Sequence, residues 1–410
     1  MHTKIVDYST SPIDVFDDSD NWLCTYRYEP FLKKWFYIEP NMHGELMLIN
    51  REDLPNELQE YAEIEEYDEL YSYYAPIKMQ IQLNKSCNFS CKMCYVPEGE
   101  KKFTLSLNQL DSVFEECKNI GVIRINLVGG EIFMRDDIDM IVGLAKKHCL
   151  LISCITNGII PGMNIKKYSY LLKQFYMIQV SCNGYEESYN YEHERNIWNK
   201  AKDCIANVIK ETSANILSYV ITKENVDDIP RFIEFAEQIK PFIIKFGSIC
   251  WSGKSNNKGS FEYYNTILPR AKKLIDECRK KNPSLRIQSQ LDNSKNSPLW
   301  EEYSNGYRPF EFYFSPEGRD NIYLNALGEF YPFPLLSDHK DYKLGEIGDS
   351  IINIWRNSRV LNSIRQVRFN NSICGKIKCK DVCGLWNRSY AIAWSGDLYG
   401  KIPCKETDWK

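Results

Sequence analysis

The chain has 410 residues with 27 Tyr, 19 Phe and 9 Trp, a composition that excludes a disordered protein and suggests two or three domains around a large core. A formal charge of −4 supplies no global basic field for nucleic acid, and no window carries the long uncharged apolar run of a membrane span. The acidic N-terminus, MHTKIVDYSTSPIDVFDDSDNW, lacks the apolar core of a signal peptide, so a cytoplasmic protein is expected, in which clusters among the 15 cysteines hold metal rather than form disulfides.

Residues 1–75 are expected to form a small α+β domain. Two strand-like runs, WLCTYRYEP and KWFYIEP, precede GELMLIN and then an acidic segment in which Tyr61, Ile64, Tyr67, Leu70 or Tyr71, and Tyr74 recur at helical spacing. Glu60, Glu63, Glu66 and Glu69 fall on other faces, which reads as a solvated acidic surface or as a docking surface for a peptide.

From residue 76 strands and helices alternate. IKMQIQL reads as a strand, SLNQLDSVFEECKNIG as a helix ending near Gly121, then VIRINLV, DDIDMIVGLAKKH, LLISCIT and IKKYSYLLKQF repeat the pattern. MIQVSC, RNIWNKAKDCIANVIKE, ANILSYVIT, NVDDIPRFIEFAEQI, FIIKFGS and FEYYNTILPRAKKLIDECRKK complete six β–α units. Serial units of this kind make a parallel sheet with right-handed crossovers, here a partial (β/α)6 TIM-like barrel over 76–285, with its active site at the C-terminal strand ends. Beyond 286 the alternation stops. Strand-like FEFYF and DNIYLNALGEFYPF, a helix over DSIINIWRNSRVLNSIRQ and a second cysteine group are expected to form a C-terminal domain over 286–410.

The run NKSCNFSCKMCYVP places Cys87, Cys91 and Cys94 in the loop after the first strand of that series. Three thiolates are one short of a closed tetrahedral zinc site, which would need a remote fourth ligand. They suit a 4Fe–4S cluster with one iron left open. CxxxCxxC after the first strand of a β/α series resembles the radical S-adenosylmethionine superfamily. The resemblance implies that the open iron chelates the amino and carboxylate groups of S-adenosylmethionine, whose reductive cleavage releases a 5′-deoxyadenosyl radical that abstracts hydrogen from substrate.

Further residues fall at strand ends, and the resemblance gives them roles. Gly129, Gly130 and Glu131 follow the second strand, where glycines admit close backbone approach and the carboxylate accepts from the methionine ammonium. Asn157 follows the third strand. Ser181 and Asn183 follow the fourth, at positions that contact ribose hydroxyls in the family; Asn183 stands where Asp is common. Tyr95 resembles the aromatic residue near the adenine, and Arg195 is either a candidate for the S-adenosylmethionine carboxylate or a surface arginine at a helix start. Cys250, after the sixth strand, is expected to face the cavity, where it either packs as a plain side chain or is the candidate for direct contact with substrate. Cys154 and Cys182 lie in strands and are expected to be small buried hydrophobes.

Near the C-terminus CGKIKCKDVCGLW supplies Cys374, Cys379 and Cys383, with Cys404 beyond, enough thiols to close one cluster or a zinc site. LGEIGDSIINIWRNS and NALGEFYPFP resemble the SPASM extension, which carries auxiliary iron–sulfur clusters in radical peptide-modifying enzymes. Phe333 and Asn371 occupy places where that extension has cysteines, so one auxiliary cluster is expected, four-iron in preference to two-iron, held by Cys374, Cys379, Cys383 and Cys404.

The resemblance implies an oxidative enzyme acting on a ribosomally synthesised precursor peptide, forming a thioether or carbon–carbon crosslink or a related modification. Residues 1–75 are then a possible leader-peptide element, and the electron donor a flavodoxin or ferredoxin. The alternative is a radical dehydrogenase or epimerase acting on a small molecule such as a sugar or antibiotic precursor. Neither nucleic acid nor membrane is expected as a partner.

Overall fold

The structure, a computed structural model, describes residues 75–96, 104–160, 165–212, 215–250, 253–255, 262–291, 318–367 and 388–400, and five strands among residues 1–50. Those five, β1 (His2–Lys4), β2 (Ile13–Phe16), β3 (Trp22–Glu29), β4 (Lys34–Ile38) and β5 (Met47–Ile49), pair antiparallel in chain order. The two expected runs are β3 and β4, and β5 falls within GELMLIN. The acidic segment and its helical spacing lie outside the described residues, as does FEFYF.

A second sheet contains six parallel strands that neighbour one another in chain order: β6 (Lys78–Gln82), β7 (Arg124–Val128), β8 (Leu151–Thr156), β9 (Met177–Ser181), β10 (Asn215–Val220) and β11 (Ile243–Gly247). Helices connect them: α1 (Leu107–Asn119), α2 (Ile138–Lys147), α3 (Ile165–Leu172), the pair α4 (Glu187–Glu192) and α5 (Trp198–Glu211), and α6 (Ile229–Ile239). After β11 a π-helical turn, Tyr263–Ile267, runs into α7 (Leu268–Lys281). The sheet is the partial barrel that the alternation predicted.

Its two faces differ. Met79, Ile81, Ile125, Leu127, Ile152, Val180, Leu217 and Phe246 join one large apolar core with the helices. Burying that face supplies the main driving force for the fold, at about 25 cal/mol per Å². The alternate positions, Gln80, Asn126, Ser153, Gln179, Ser218 and Lys245, are polar. They bond along the sheet, as Ser153 Oγ does to Asn126 Oδ1 at 3.0 Å and Gln179 Nε2 to Ser218 Oγ at 3.2 Å. Cys154 and Cys182, 1% and 0% exposed, behave as the buried hydrophobes expected of them.

Beyond α7 the sheet continues where alternation was expected to stop. β12 (Ile287–Ser289) pairs parallel with β11; at three partly exposed residues it has no apolar period to read. β13 (Asn321–Leu324) pairs parallel with β6, and β14 (Glu329–Tyr331) and β15 (Gly345–Glu346) extend the same sheet antiparallel to a total of ten strands. The expected hairpin DNIYLNALGEFYPF is β13 and β14.

The single helix expected over DSIINIWRNSRVLNSIRQ is two, α8 (Ile351–Asn357) and α9 (Arg359–Gln366), because Ser358 leaves helical geometry at ψ 123° and caps the second through Leu361 N. The last described helix is α10 (Arg388–Ser395). Among the described residues no helix is long and apolar enough to cross a membrane.

Candidate active site

Of the expected site residues that the structure describes, all but Arg195 stand at the C-terminal end of a barrel strand or in the loop that follows it; Arg195 lies between α4 and α5. The loop after β6 carries Cys87, Cys91 and Cys94, all half-buried. Its start is seated on the loop after β7. Gly130 N donates to Asn84 O at 3.0 Å and Glu131 N to Ser86 O at 2.8 Å. A Cβ on Gly130 would fall 2.1 Å from Ser86 O, and one on Gly129 would fall 2.8 Å from Asn84 Oδ1. The two glycines therefore let one strand-end loop press on another, a reason additional to ligand approach.

Glu131 is 1% exposed. Its Oε1 accepts from Thr156 Oγ1 at 2.8 Å and Phe133 N at 3.2 Å, and its Oε2 accepts from Asn157 N at 2.8 Å. Burial pushes its pKa up to about 7, against the pull of those donors. The described contacts use Oε2 once, which leaves it capacity for a further donor. Asn157 also reaches the cysteine loop: its Nδ2 donates to Asn88 Oδ1 at 2.7 Å, and Asn88 Nδ2 donates to Ile159 O at 2.7 Å. Asn88 thus ties the cysteine loop to the end of β8.

The end of α4 holds the same loop from another side. Lys92 N donates to Glu192 O at 2.9 Å, and Phe89 meets the His193 ring edge-on at 4.9 Å. His193 stacks on Tyr189 and its Nδ1 lies 2.7 Å from Tyr189 O. Burial lowers the His193 pKa to about 4, so the ring is neutral in the physiological range. Asn88, Phe89 and His193 drew no functional reading from the sequence, because a long-range tie between two loops leaves no periodic trace.

At the end of β11, Cys250 Sγ lies 3.2 Å from the Tyr390 hydroxyl of α10. The segment that follows the second cysteine group is thereby packed against the barrel mouth. Burial raises the Cys250 thiol pKa, with the Tyr390 contact acting in the opposite direction. Tyr95 is half-buried, and its phenol pKa is pushed well up by burial and then by the neighbouring Cys250 and Cys94.

Asn183 is 8% exposed and its Oδ1 accepts from Val220 N at 2.8 Å, which leaves its amide N–H groups to donate. Ser181 ends β9, half-buried, whereas Arg195 is exposed. Cys374, Cys379, Cys383 and Cys404 lie outside the described residues. A cavity of about 450 Å³ opens beside the cysteine loop, lined by Lys92, Tyr191, Lys223, Lys254, Glu262 and Tyr263.

The donor set fits an iron–sulfur cluster. A single metal ion draws its ligands to about 2.0–2.3 Å. A cluster instead spreads three thiolates over three irons. Burial pushes the Cys87 thiol up to about 11, raised further by Glu131 and Cys94, and Cys91 higher still, raised further by Cys94 and Cys87. Such thiols ionise when iron binds them.

The radical SAM superfamily model matches residues 81–236. A probable GTP 3′,8-cyclase from Thermoplasma volcanium is 30% identical over 230 residues, 55% of this chain and 67% of that protein. The chain belongs to the radical SAM superfamily. The PqqA peptide cyclase of Rhizobium meliloti is 22% identical to this radical SAM chain over 340 residues, 80% of this chain and 86% of that protein. The crystal structure of Streptococcus suis SuiB bound to its precursor peptide SuiA superposes with a TM-score of 0.67 at 14% identity, covering 88% of this chain and 92% of SuiB. The barrel is thus the fold of radical SAM enzymes.

Proposed function

We propose that the chain oxidatively modifies a ribosomally synthesised precursor peptide, forming a thioether or carbon–carbon crosslink or a related bond. The observation that carries this reading is the reach of the likeness. The PqqA peptide cyclase aligns over 80% of the chain and SuiB, solved with a peptide, over 88%, whereas the GTP cyclase likeness covers 55%. A second reading, a small-molecule substrate, rests on that last relative, whose 30% identity exceeds the other two.

In the proposed site Cys87, Cys91 and Cys94 hold a 4Fe–4S cluster. Bound there with S-adenosylmethionine, it supplies a one-electron reduction that yields the hydrogen-abstracting 5′-deoxyadenosyl radical. The chain's own residues place that ligand. Glu131 accepts from the methionine ammonium through the remaining capacity of Oε2, and Asn157 keeps Glu131 and Asn88 in register. Ser181 and the free amide N–H of Asn183 face ribose hydroxyls, Tyr95 lies along the adenine, and Arg195 meets the carboxylate. Cys250, kept as a neutral thiol by burial and held by Tyr390, is the candidate for direct contact with substrate. Cys374, Cys379, Cys383 and Cys404 would hold one auxiliary cluster, which would supply an acceptor for the substrate's electron, and a flavodoxin or ferredoxin would be the donor of the first. Residues 1–75 receive the leader peptide.

Co-expression with the short open reading frames that flank its gene, followed by mass spectrometry, tests the substrate class. A peptide lighter by two hydrogen atoms per bond formed is expected. Unmodified peptides, together with conversion of a nucleotide or sugar by the same cluster-loaded protein, would favour the small-molecule reading.

A further inference from the structure

The first and last strands of the six-unit arc, β6 and β11, share no backbone ladder. The loops that leave them nevertheless meet, over the cysteines. Gly253 packs on the backbone of Cys94–Val96: a Cβ there would lie 2.6 Å from Cys94 O, 2.8 Å from Tyr95 C and 2.8 Å from Val96 O. All three are main-chain atoms, so none yields cheaply. Its φ of +57° also lies where L side chains are strained.

Lys254 follows, and two of its hydrogen bonds reach the cysteine loop. Its backbone N donates to Cys94 O at 2.9 Å, and its ammonium Nζ donates to Ser90 Oγ at 2.6 Å. Ser90 directly precedes Cys91. One residue therefore grips both ends of the Cys91–Cys94 turn, whose own internal bond is Cys94 N to Cys91 O at 3.2 Å. The grip fixes the ammonium on Ser90, the residue next to Cys91.

We propose that Gly253 and Lys254 are positioning residues for the cluster-binding loop. They clasp the last strand's loop to the first strand's, fix the spacing of Cys91 and Cys94, and set the local charge. The proposal rests on the assignment of Cys87, Cys91 and Cys94 as cluster ligands. Two consequences follow from the geometry. A short loop carrying three ligands loses conformational entropy on binding iron, and a clasp made beforehand lowers that loss. The potential of an iron–sulfur cluster also follows the charge and hydrogen bonding around it, so a fixed ammonium makes the cluster easier to reduce.

The test is redox titration of the full, reconstituted chain followed by electron paramagnetic resonance. The spectral change produced by adding S-adenosylmethionine isolates the open cluster from any closed one. Lys254→Met is expected to keep its iron and to shift the midpoint of that signal to lower potential, with Lys254→Arg restoring it. Ser90→Ala, a substitution at an exposed position, is expected to shift the midpoint the same way by less. Gly253→Ala is expected to lose several-fold of the S-adenosylmethionine-sensitive signal.

A wild-type chain that binds iron but shows no such signal would overturn the ligand assignment and the clasp with it. A wild-type signal whose midpoint and intensity are unchanged in Lys254→Met, Ser90→Ala and Gly253→Ala would overturn the clasp alone.

Discussion

The outer and inner faces of the β6–β11 arc come from the same strands, one residue out of phase, and divide the labour of the molecule between them. On the outer face Phe246 is 0% exposed and packs against Tyr219 and Phe232, with ring centroids 5.5 and 5.7 Å away. On the inner face Gln179 and Ser218 bond to each other across the sheet. The first face has the density of a protein core; the second keeps polar groups in a lumen beneath the cysteine loop. Stability is therefore concentrated in residues far from the chemistry, and the chemistry in loops that the core merely positions.

That division predicts mutations that break one side and spare the other. The largest effect is expected from replacing Cys87, Cys91 and Cys94 together with Ala. S-adenosylmethionine cleavage should fall to background and iron by a full cluster, with the far-ultraviolet circular dichroism unchanged. Loss of helix content in that variant would mean that the loop supports the fold as well. Next, Phe246→Ala should lower stability to urea by about 3–5 kcal/mol through the cavity it leaves. Gln179→Ala on the inner face should cost about 1 kcal/mol, the net worth of one hydrogen bond. Equal losses from the two would erase the distinction between the faces.

The smallest effect sharpens the comparison at the site itself. Glu131 has a pKa raised to about 7 by burial, so it is mostly neutral at pH 6 and mostly ionised at pH 8. The methionine N–H donors bond the ionised carboxylate more strongly than the neutral carboxyl, so affinity for S-adenosylmethionine should rise by up to roughly tenfold across that range. Glu131→Gln should flatten the rise and retain iron. A pH dependence that survives in Glu131→Gln would remove this carboxylate from the binding step. The same shift has a stability sign: a carboxyl more basic folded than unfolded favours the fold below its unfolded pKa, and that contribution is lost as pH rises toward 7.

The barrel was legible because its strands alternate. IKMQIQL and VIRINLV each carry an apolar set for the outer face and a polar set for the lumen, and each helix between them repeats at helical spacing. The cysteine loop was legible because its chemistry is local, three ligands in eight residues. What holds that loop was not. Asn88 with Asn157, Phe89 with His193 and Gly253 with Cys94 join residues far apart in sequence, and no period or short motif marks such pairs. Glu131 was legible as a strand-end carboxylate but not as an acceptor for Thr156, Asn157 and Phe133. β12 is too short for a pattern, and the break at Ser358 depends on one capping side chain within an otherwise continuous apolar period.

The measurement that tests the account most directly is an anaerobic assay of the reconstituted, chemically reduced chain with S-adenosylmethionine, in parallel with the variant lacking Cys87, Cys91 and Cys94. The account predicts 5′-deoxyadenosine from the first and none above background from the second. Equal yields from the two proteins, or none from a wild-type chain with a reduced, S-adenosylmethionine-sensitive cluster, would contradict it.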